Sequence, residues 1–537
     1  MVKAFFRDTI DVDFSASGHM VCVLSQASAI FRSDAYLWLD LCLSLKKNGT
    51  DMTKVDARLR VLDWVVPLGF GTILFFAVPL QTALELSADE GYELMKALLV
   101  SHGYALYLSV WSDQPPVFTE LLALLFRVFG ASVFVGRLLT LCFAMTLVWM
   151  LWKLVSNSFG LAAGLIATAL LVSSSSFLQQ SVAPMTELPA TTLALASLLS
   201  ASRYDSTRRI RWLALSGVLF GCALQVKLTS AIFLPAMGVA YLDRNGRNLR
   251  TDLLRDVAVW FGAVLVTSGL IVLRFYGTDT VWEFWASHFS GSTNAAVPDR
   301  HSFKPATFFL RAPALSAATA LGIALLASKR RRDVLCPATL FATVLAIHWA
   351  HRPYWYYYNL HFAIPMAWLG ASGIVGWFGL LRDRAAAWGE RRSLNRLAWL
   401  VYVLVISLTL AATPWLICRQ LRGLQTAPLA SENELVIELQ KRASNTSWVF
   451  TDRPLYPFWA GLLVPPEMVG IPYKRIWSGS VTESTVYECI AQYRPEEILF
   501  IHTLRGWQTR GALAAYIRDH YEHDPAGGGT KLFHRTH

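Results

Sequence analysis

The chain has 537 residues, of which 54% are hydrophobic and only 16% are charged, and its mean hydropathy is +0.40. A soluble chain carries about 25% charged residues, so this composition excludes an ordinary soluble globular protein. The formal net charge is +11. The Lys and Arg residues lie in short clusters between apolar runs, which is the positive-inside pattern of membrane proteins and argues against nucleic-acid binding. The seven cysteines form no CxxC pair and no metal-binding spacing, so neither disulfides nor a zinc site is predicted.

The N-terminal region has no clear periodicity before Met52. Residues 1–51 lack the basic region, apolar core and cleavage site of a signal peptide in the right order. Met52 is followed by a basic stretch typical of a cytoplasmic lead-in. We therefore expect residues 1–60 to form a cytoplasmic segment, with the hypothesis that translation begins at Met52.

The first predicted crossing is Val61–Ala83, with Lys54, Arg58 and Arg60 before it. The positive-inside rule then places Asp89 at the outer face. The next segment, Asp89–His102, has apolar residues at helical spacing opposite Glu93 and Lys96, which predicts an amphipathic helix lying on the membrane. After a break at Pro115-Pro116, a second short helix is predicted over Val117–Phe129.

Apolar runs separated by basic clusters predict about eleven crossings in a transmembrane domain over residues 61–418. The fold class is therefore mainly α, a polytopic membrane protein with amphipathic helices at its outer face. After the first crossing, the predicted runs are Val133–Leu154, Leu161–Ser176, Thr186–Ala201, Trp212–Val226, Thr229–Leu242, Val257–Phe275, Ala312–Ser328, Leu335–Ala350, His361–Leu381 and Leu397–Ile417.

Residues 419–537 are predicted to form a small, soluble α/β domain on the outer side, because strands alternate with helices there. Ser431-Glu-Asn-Glu434 has the pattern of a capping box and predicts the start of a helix. The other predicted elements are strands at Trp448–Thr451, Ile498–Ile501 and Lys531–Phe533, and helices at Glu483–Gln492 and Arg510–His520.

This topology gathers acidic, basic and aromatic residues at the outer face. They include Asp89, Glu90, Asp113, Arg137, Glu187, Lys227, His288 and the segment His351–His361. Such a set suits transfer of a sugar from a lipid phosphate, whose phosphate lies at the headgroup level. A carboxylate takes the proton of the acceptor hydroxyl, cations stabilise the departing phosphate, and aromatic rings line the subsites.

Several short motifs occur in order along residues 61–380: Ala88-Asp-Glu-Gly-Tyr92, Ser101-His-Gly-Tyr-Ala-Leu-Tyr107, Gln114-Pro-Pro-Val117, Gly136-Arg-Leu138, Met185-Thr-Glu-Leu-Pro189 and Gln225-Val-Lys-Leu-Thr229. With them the chain resembles the dolichyl/polyprenyl-phosphate-mannose-protein mannosyltransferase-like family. This family belongs to the GT-C class of membrane glycosyltransferases. The resemblance implies that Asp89 is the catalytic or donor-positioning acid. The family often has Lys before the Pro-Pro pair, where this chain has Gln114.

The predicted site has three groups of residues. The catalytic candidates are Asp89, Glu90 and Glu187; the phosphate-binding candidates are Arg137, Lys227 and Arg352; the substrate-lining candidates are Tyr92, Tyr107, Tyr354, Tyr357 and His361.

Structural alternatives stand beside these roles. Asp89 and Glu90 fit a capping box beginning at Ser87. Arg137 fits a snorkelling anchor, Lys227 an interfacial anchor, and the tyrosines an aromatic belt. A divalent cation held by Asp89 and Glu187 is left open, because two acids do not establish a metal site.

The predicted function is transfer of a monosaccharide from a polyprenyl-phosphate donor to an acceptor hydroxyl, with inversion implied by the family. The expected partners are that donor, membrane lipids, and a protein, lipid or glycan acceptor. The expected location is the bacterial inner membrane, with the site and the C-terminal domain facing the periplasm. Two alternatives remain: a transporter or lipid flippase, and a polysaccharide ligase or polymerase that uses a diphosphate-linked donor.

Overall fold

The computed structural model describes residues 52–242, 251–285, 288, 305–351, 353–386, 392–509, 511–524 and 531–536. Contacts divide the chain into two units, Met1–Leu62 and Asp63–His537. In the first unit, the described residues begin a helix. The second unit contains a helical bundle and a small α/β domain over residues 426–536, which we call the tail domain. The hypothesis about translation from Met52 concerns residues outside the described ranges.

The helices of the bundle have the following bounds in chain order. They are α1 (Met52–Ala77), α2 (Glu90–Ser101), α3 (Val117–Phe129), α4 (Val133–Phe159), α5 (Leu161–Val172), α6 (Phe177–Gln180), α7 (Glu187–Thr207), α8 (Ile210–Leu224), α9 (Leu234–Leu242), α10 (Thr251–Phe275), α11 (Gly277–Trp285), α12 (Pro305–Arg311), α13 (Pro313–Ala324), α14 (Arg331–Ala350), α15 (Asn359–Ala386) and α16 (Arg392–Gln425).

Every predicted crossing overlaps one of these helices, but the count of eleven crossings is not confirmed. Within the described ranges, five helices are long and apolar enough to cross a membrane. A sixth candidate is the pair α12 and α13, which bends by 101°. Four more apolar helices are shorter than a full span. Helix α7 belongs to none of these sets, and most of its residues are buried among the other helices.

The bundle core is closely packed where α13 crosses α15. A Cβ atom on Gly322 would lie 2.2 Å from the backbone oxygen of Leu369, and one on Gly373 would lie 2.3 Å from the backbone nitrogen of Gly322. Small residues allow helix backbones to approach closely in membrane bundles, where van der Waals packing holds helices together. The two glycines therefore set the distance between these helices.

The tail domain is built on a four-stranded sheet of β1 (Val449–Thr451), β2 (Glu497–Phe500), β3 (Tyr521–Asp524) and β4 (Lys531–Arg535). The strand order is β1-β2-β4-β3; β1 and β2 are parallel, and the other pairs are antiparallel. Its helices are α17 (Glu434–Arg442), α18 (Leu455–Trp459), α19 (Tyr473–Trp477), α20 (Glu483–Tyr493) and α21 (Gly511–His520). The predicted α/β architecture is therefore present, with β3, α18 and α19 in addition.

One local prediction in the tail domain is wrong. Ser431 does not begin the first tail helix. Asn433 occupies the N-cap of α17, and its side chain accepts a hydrogen bond from the backbone nitrogen of Val436. The spacing of a capping box also fits Ser431, but Asn is an equally good cap and lies directly before the helix.

The tail domain covers the first short helices of the bundle. Helix α2 has nearly the predicted bounds, but it is buried on both faces. Its apolar residues share a core with Leu455 and Phe458 of α18. On the other face, Glu93 and Lys96 are buried as an ion pair of 2.9 Å. The prediction of an exposed polar face is therefore wrong, because Glu93 and Lys96 are enclosed as a pair beside Ser112 while the tail domain packs on the apolar residues.

The crossing of α13 and α15 yields a stability prediction. We expect Gly322→Ala to lower the free energy of unfolding by about 1–3 kcal/mol, because the new methyl group overpacks against the backbone of α15. Thermal unfolding of the purified protein in detergent measures the change. Gly379→Ala, in α15 with open space around it, is the matched control and should leave the melting temperature unchanged or slightly raised. Equal melting temperatures for Gly322→Ala and Gly379→Ala would contradict the close approach of α13 and α15.

Candidate active site at the tail-domain end

The loop between α1 and α2 carries Asp89 and is held by the tail domain. The backbone nitrogen of Leu84 donates to the oxygen of Pro428 at 2.7 Å, and the Trp459 indole donates to the oxygen of Leu84 at 2.9 Å. Arg453 donates to the Glu85 carboxylate at 2.7 Å. A surface loop is ordinarily mobile, whereas this one is fixed by backbone and side-chain contacts on its outer side.

Asp89 occupies the N-cap position of α2 but does not cap the helix with its side chain. The Ser87 hydroxyl does not cap the helix either, because it forms a hydrogen bond of 2.6 Å with the Tyr356 hydroxyl. The capping-box alternative is therefore wrong. Within the described ranges, the half-buried Asp89 carboxylate forms no hydrogen bond or ion pair. Burial raises its pKa to about 7, and the charge of Glu187 adds to this effect while Lys227 opposes it.

Glu187 and Lys227 form a buried ion pair beside Asp89. Glu187 begins α7, and Lys227 lies in the turn after α8. Burial alone lowers the pKa of Lys227, but the Glu187 carboxylate reverses this, and the pKa is raised. The ammonium group also faces the rings of Tyr357 and Tyr358, at 5.0 and 5.9 Å from their centroids. The lysine is thus held as a cation in an aromatic environment.

The tyrosine segment forms a wall around this lysine. Tyr356–Tyr358 is a short 3₁₀ helix directly before α15, and Gln180 donates to the backbone oxygen of Tyr357 at 3.1 Å. Tyr354 and His361 lie behind this wall. Tyr354 donates to Asn359 at 2.7 Å, and His361 lies 2.9 Å from His348, which stacks on Tyr358. These two residues support the wall through neighbouring side chains.

Glu90 and Arg137 form a second buried pair with a different character. Arg137 donates to both carboxylate oxygens of Glu90, at 2.6 and 3.1 Å, and to the backbone oxygen of Leu80 at 3.0 Å. Both side chains are fully buried. The Glu90 carboxylate also accepts from the backbone nitrogen of Leu86. This arrangement leaves no exposed atom for a ligand and fixes the loop that carries Asp89.

Two further predicted lining residues also hold backbone segments. The Tyr92 hydroxyl donates to the backbone oxygen of Asp452 in the tail domain at 3.3 Å. Tyr107 has a positive φ of 72°, stacks on Tyr276 with centroids 4.8 Å apart, and donates to the backbone oxygen of Gln114 at 2.7 Å. Tyr107 therefore positions the Asp113-Gln114 segment. The remaining candidate, Arg352, lies outside the described residues.

The structure also brings Asp113 to the site, paired with Lys474 of the tail domain at 2.7 Å. Asp113 was among the residues expected at the outer face, whereas Lys474 was not. No local pattern marks Lys474, because its partner is 361 positions away in the chain. Among the described residues, no group of three or more His, Cys, Asp or Glu side chains is arranged to hold a metal ion.

Comparison with known proteins gives a match to one family model. Residues 113–273 match the family model of dolichyl-phosphate-mannose-protein mannosyltransferase. No curated protein sequence matches the chain.

Two solved membrane structures share the fold. ArnT from Cupriavidus metallidurans bound to undecaprenyl phosphate is 13% identical, with a TM-score of 0.59 over 88% of this chain and 97% of that chain. The oligosaccharyltransferase AglB from Archaeoglobus fulgidus, in complex with an inhibitory peptide and a dolichol-phosphate, is 11% identical. Its TM-score is 0.52 over 87% of this chain and 74% of that chain.

The fold is therefore that of the GT-C membrane glycosyltransferases, and the predicted resemblance is confirmed. The family match also confirms the predicted class of enzyme, a glycosyltransferase using a lipid-linked sugar donor.

The Glu90–Arg137 pair yields a second prediction. Glu90→Gln leaves the guanidinium of Arg137 buried without its counter-charge, so we expect a loss of about 3–5 kcal/mol in the free energy of unfolding. The melting temperature in detergent measures this loss. A double variant, Glu90→Met with Arg137→Met, should recover much of it, because apolar side chains replace both charges. A Glu90→Gln protein that melts normally but has lost activity would return Glu90 to the catalytic group.

Proposed function

We propose that this protein transfers a monosaccharide from a polyprenyl-phosphate donor to an acceptor hydroxyl, with Asp89 as the general base. The observation that carries the proposal is the position of Asp89, half-exposed and free of hydrogen bonds within the described ranges, beside the buried Glu187–Lys227 pair. The shared fold with ArnT, solved with undecaprenyl phosphate, supports the lipid-linked donor.

In the proposed reaction, the Asp89 carboxylate removes the proton from the acceptor hydroxyl as its oxygen attacks the anomeric carbon of the donor sugar. The bond between that carbon and the phosphate oxygen breaks, and its electron pair stays on the phosphate. The products are the glycosylated acceptor and polyprenyl phosphate. A single displacement of this kind inverts the anomeric carbon.

Each member of the cluster has a proposed role. Lys227 balances the negative charge that develops on the phosphate, since preorganised cations act most strongly in a partly buried site. Glu187 keeps Lys227 charged and raises the pKa of Asp89 towards neutrality, where a general base is most effective. Tyr357 and Tyr358 shield the lysine from water and present polar hydroxyls and ring faces to the sugar.

The acceptor and the cellular location are also proposals. The cluster lies at the end of the bundle that the tail domain covers, so donor and acceptor would meet beneath that domain. We propose that this end faces the periplasm of a bacterial inner membrane, as the basic clusters between the crossings indicate. Protein, lipid and glycan hydroxyls all remain candidate acceptors. Neither the fold nor the family match supports the transporter alternative.

The main test uses the purified protein in lipid nanodiscs with polyprenyl-phosphate sugars and envelope acceptors, scored for free polyprenyl phosphate and for glycosylated product. We expect Asp89→Asn to lower kcat by about 10²–10⁴-fold, because the amide accepts no proton. Asp383→Asn, which neutralises an exposed carboxylate at the end of α15, is the matched control and should retain full turnover. Unchanged turnover in Asp89→Asn would remove Asp89 from the chemistry.

The pKa of Asp89 gives a separate prediction of pH dependence. The base acts in its ionised form, so kcat/KM should rise about tenfold per pH unit below about pH 7 and level off above it. In Glu187→Gln the neighbouring charge is lost, and the midpoint should shift to lower pH. The measurement is kcat/KM from pH 5 to 9 for both proteins. A wild-type midpoint near pH 4 would show that an unperturbed carboxyl, and not this one, controls the rate.

A further inference from the structure

The tail domain places a lysine at the edge of the proposed donor site. Lys474 lies in the short helix α19 and donates to Oδ2 of Asp113 at 2.7 Å. About a quarter of its side chain, 26%, is exposed. The Lys227 side chain, at 8% exposed, is more deeply enclosed and is already paired with Glu187. Lys474 therefore has the more accessible ammonium group of the two.

Contacts on both sides of Lys474 hold it in this position. The guanidinium of Arg475 lies over the ring of Trp111, 4.4 Å from the centroid, and donates to the backbone oxygen of Gly470 at 2.6 Å. Trp477 stacks on Trp355 with an angle of 3° between the rings and 6.4 Å between centroids. Helix α19 is thus docked both on Trp111 and on Trp355, which directly precedes the tyrosine wall.

The charges of Asp113 and Lys474 also act on the proposed catalytic cluster and on residues around it. The charge of Asp113 acts on Lys227, which faces Tyr357. The charge of Lys474 reaches His288 and His351, and it lowers the pKa of both together with burial. The packing agrees with this, since Trp355 stacks on Trp477 of α19 and also on Tyr357, whose ring Lys227 faces. Lys474 and Lys227 therefore lie on elements that pack against the same aromatic segment.

A phosphate leaving group needs more positive charge than Lys227 alone supplies. A sugar–phosphate–lipid diester carries one negative charge, and the departing monoester carries between one and two at neutral pH, since its second pKa is about 6. Glu187 already compensates Lys227. Charge-assisted contacts to a second cation would stabilise the monoester as it forms.

We propose that Lys474 binds the phosphate of the lipid carrier, so that the tail domain completes the donor site. Asp113 holds the ammonium group in place before the lipid arrives and shares it with the phosphate afterwards. This inference rests on the proposed function, because it assumes a polyprenyl-phosphate ligand. It gives the tail domain a direct part in binding the donor, in addition to covering this end of the bundle.

The test measures binding of undecaprenyl phosphate to the full-length protein in nanodiscs, without any turnover. We expect Lys474→Gln to weaken binding about tenfold or more, the usual cost of losing a hydrogen bond to a charged group. Lys474→Arg should retain most of the affinity. Lys441→Gln is the matched control, because Lys441 is a tail-domain lysine that is 65% exposed and paired with Glu438; it should bind as the wild type does. Wild-type affinity in Lys474→Gln would overturn the inference.

A double variant separates phosphate binding from simple docking of the tail domain. Asp113→Asn with Lys474→Gln keeps two polar groups facing each other but removes both charges. We expect near wild-type melting with weakened binding of undecaprenyl phosphate. Wild-type affinity in the double variant would overturn the inference, and Lys474 would then serve only to dock the tail domain on Asp113. Failure of the wild type itself to bind undecaprenyl phosphate would instead overturn the proposed function.

Discussion

The buried pair of Glu187 and Lys227 is the interaction on which the site depends. Neither charge is stable alone in a low-dielectric environment, so each keeps the other ionised. Their joint effect reaches Asp89: Glu187 raises its pKa and Lys227 lowers it, and the net result with burial is about 7. In the proposed reaction, this one ion pair supplies a cation for the phosphate and tunes the base for the acceptor.

The position of Asp89 relative to that pair is set by contacts made far from it in sequence. Both carboxylate oxygens of Glu90 accept hydrogen bonds from Arg137, and this pair fixes the loop to α4. Arg453 and Trp459 hold the same loop from the tail domain. Two adjacent acids therefore differ, because Glu90 is fully buried against Arg137 of α4, whereas Asp89 is half-buried and makes no hydrogen bond or ion pair within the described ranges. A catalytic geometry of this kind needs rigid support around it.

Much of the secondary structure could be predicted from the sequence. Apolar runs of helical length and their bounding glycines, prolines and polar residues predict most of the helices, and Val117–Phe129 has the bounds expected. They do not predict the short helices α6, α11, α12, α18 and α19. The grouping of Asp89, Glu187, Lys227 and the tyrosine segment could also be predicted, since the basic clusters fix the direction of each run. The role of each residue within the group could not be predicted from the sequence. Tyr92, Tyr107 and Arg137 are residue types suited to binding, but the structure engages their polar groups with backbone and carboxylate partners.

The sequence by itself determined the membrane class, the order of the helices, the α/β character of the tail domain and the end of the bundle where charged residues collect. These properties follow from local composition and periodicity, which each segment carries on its own. Only the tertiary structure decided that α2 is buried, that Glu90 pairs with Arg137, and that Lys474 meets Asp113. Those outcomes depend on which surfaces cover one another across hundreds of residues, and burial decides whether a charged group is solvated, paired or available for chemistry.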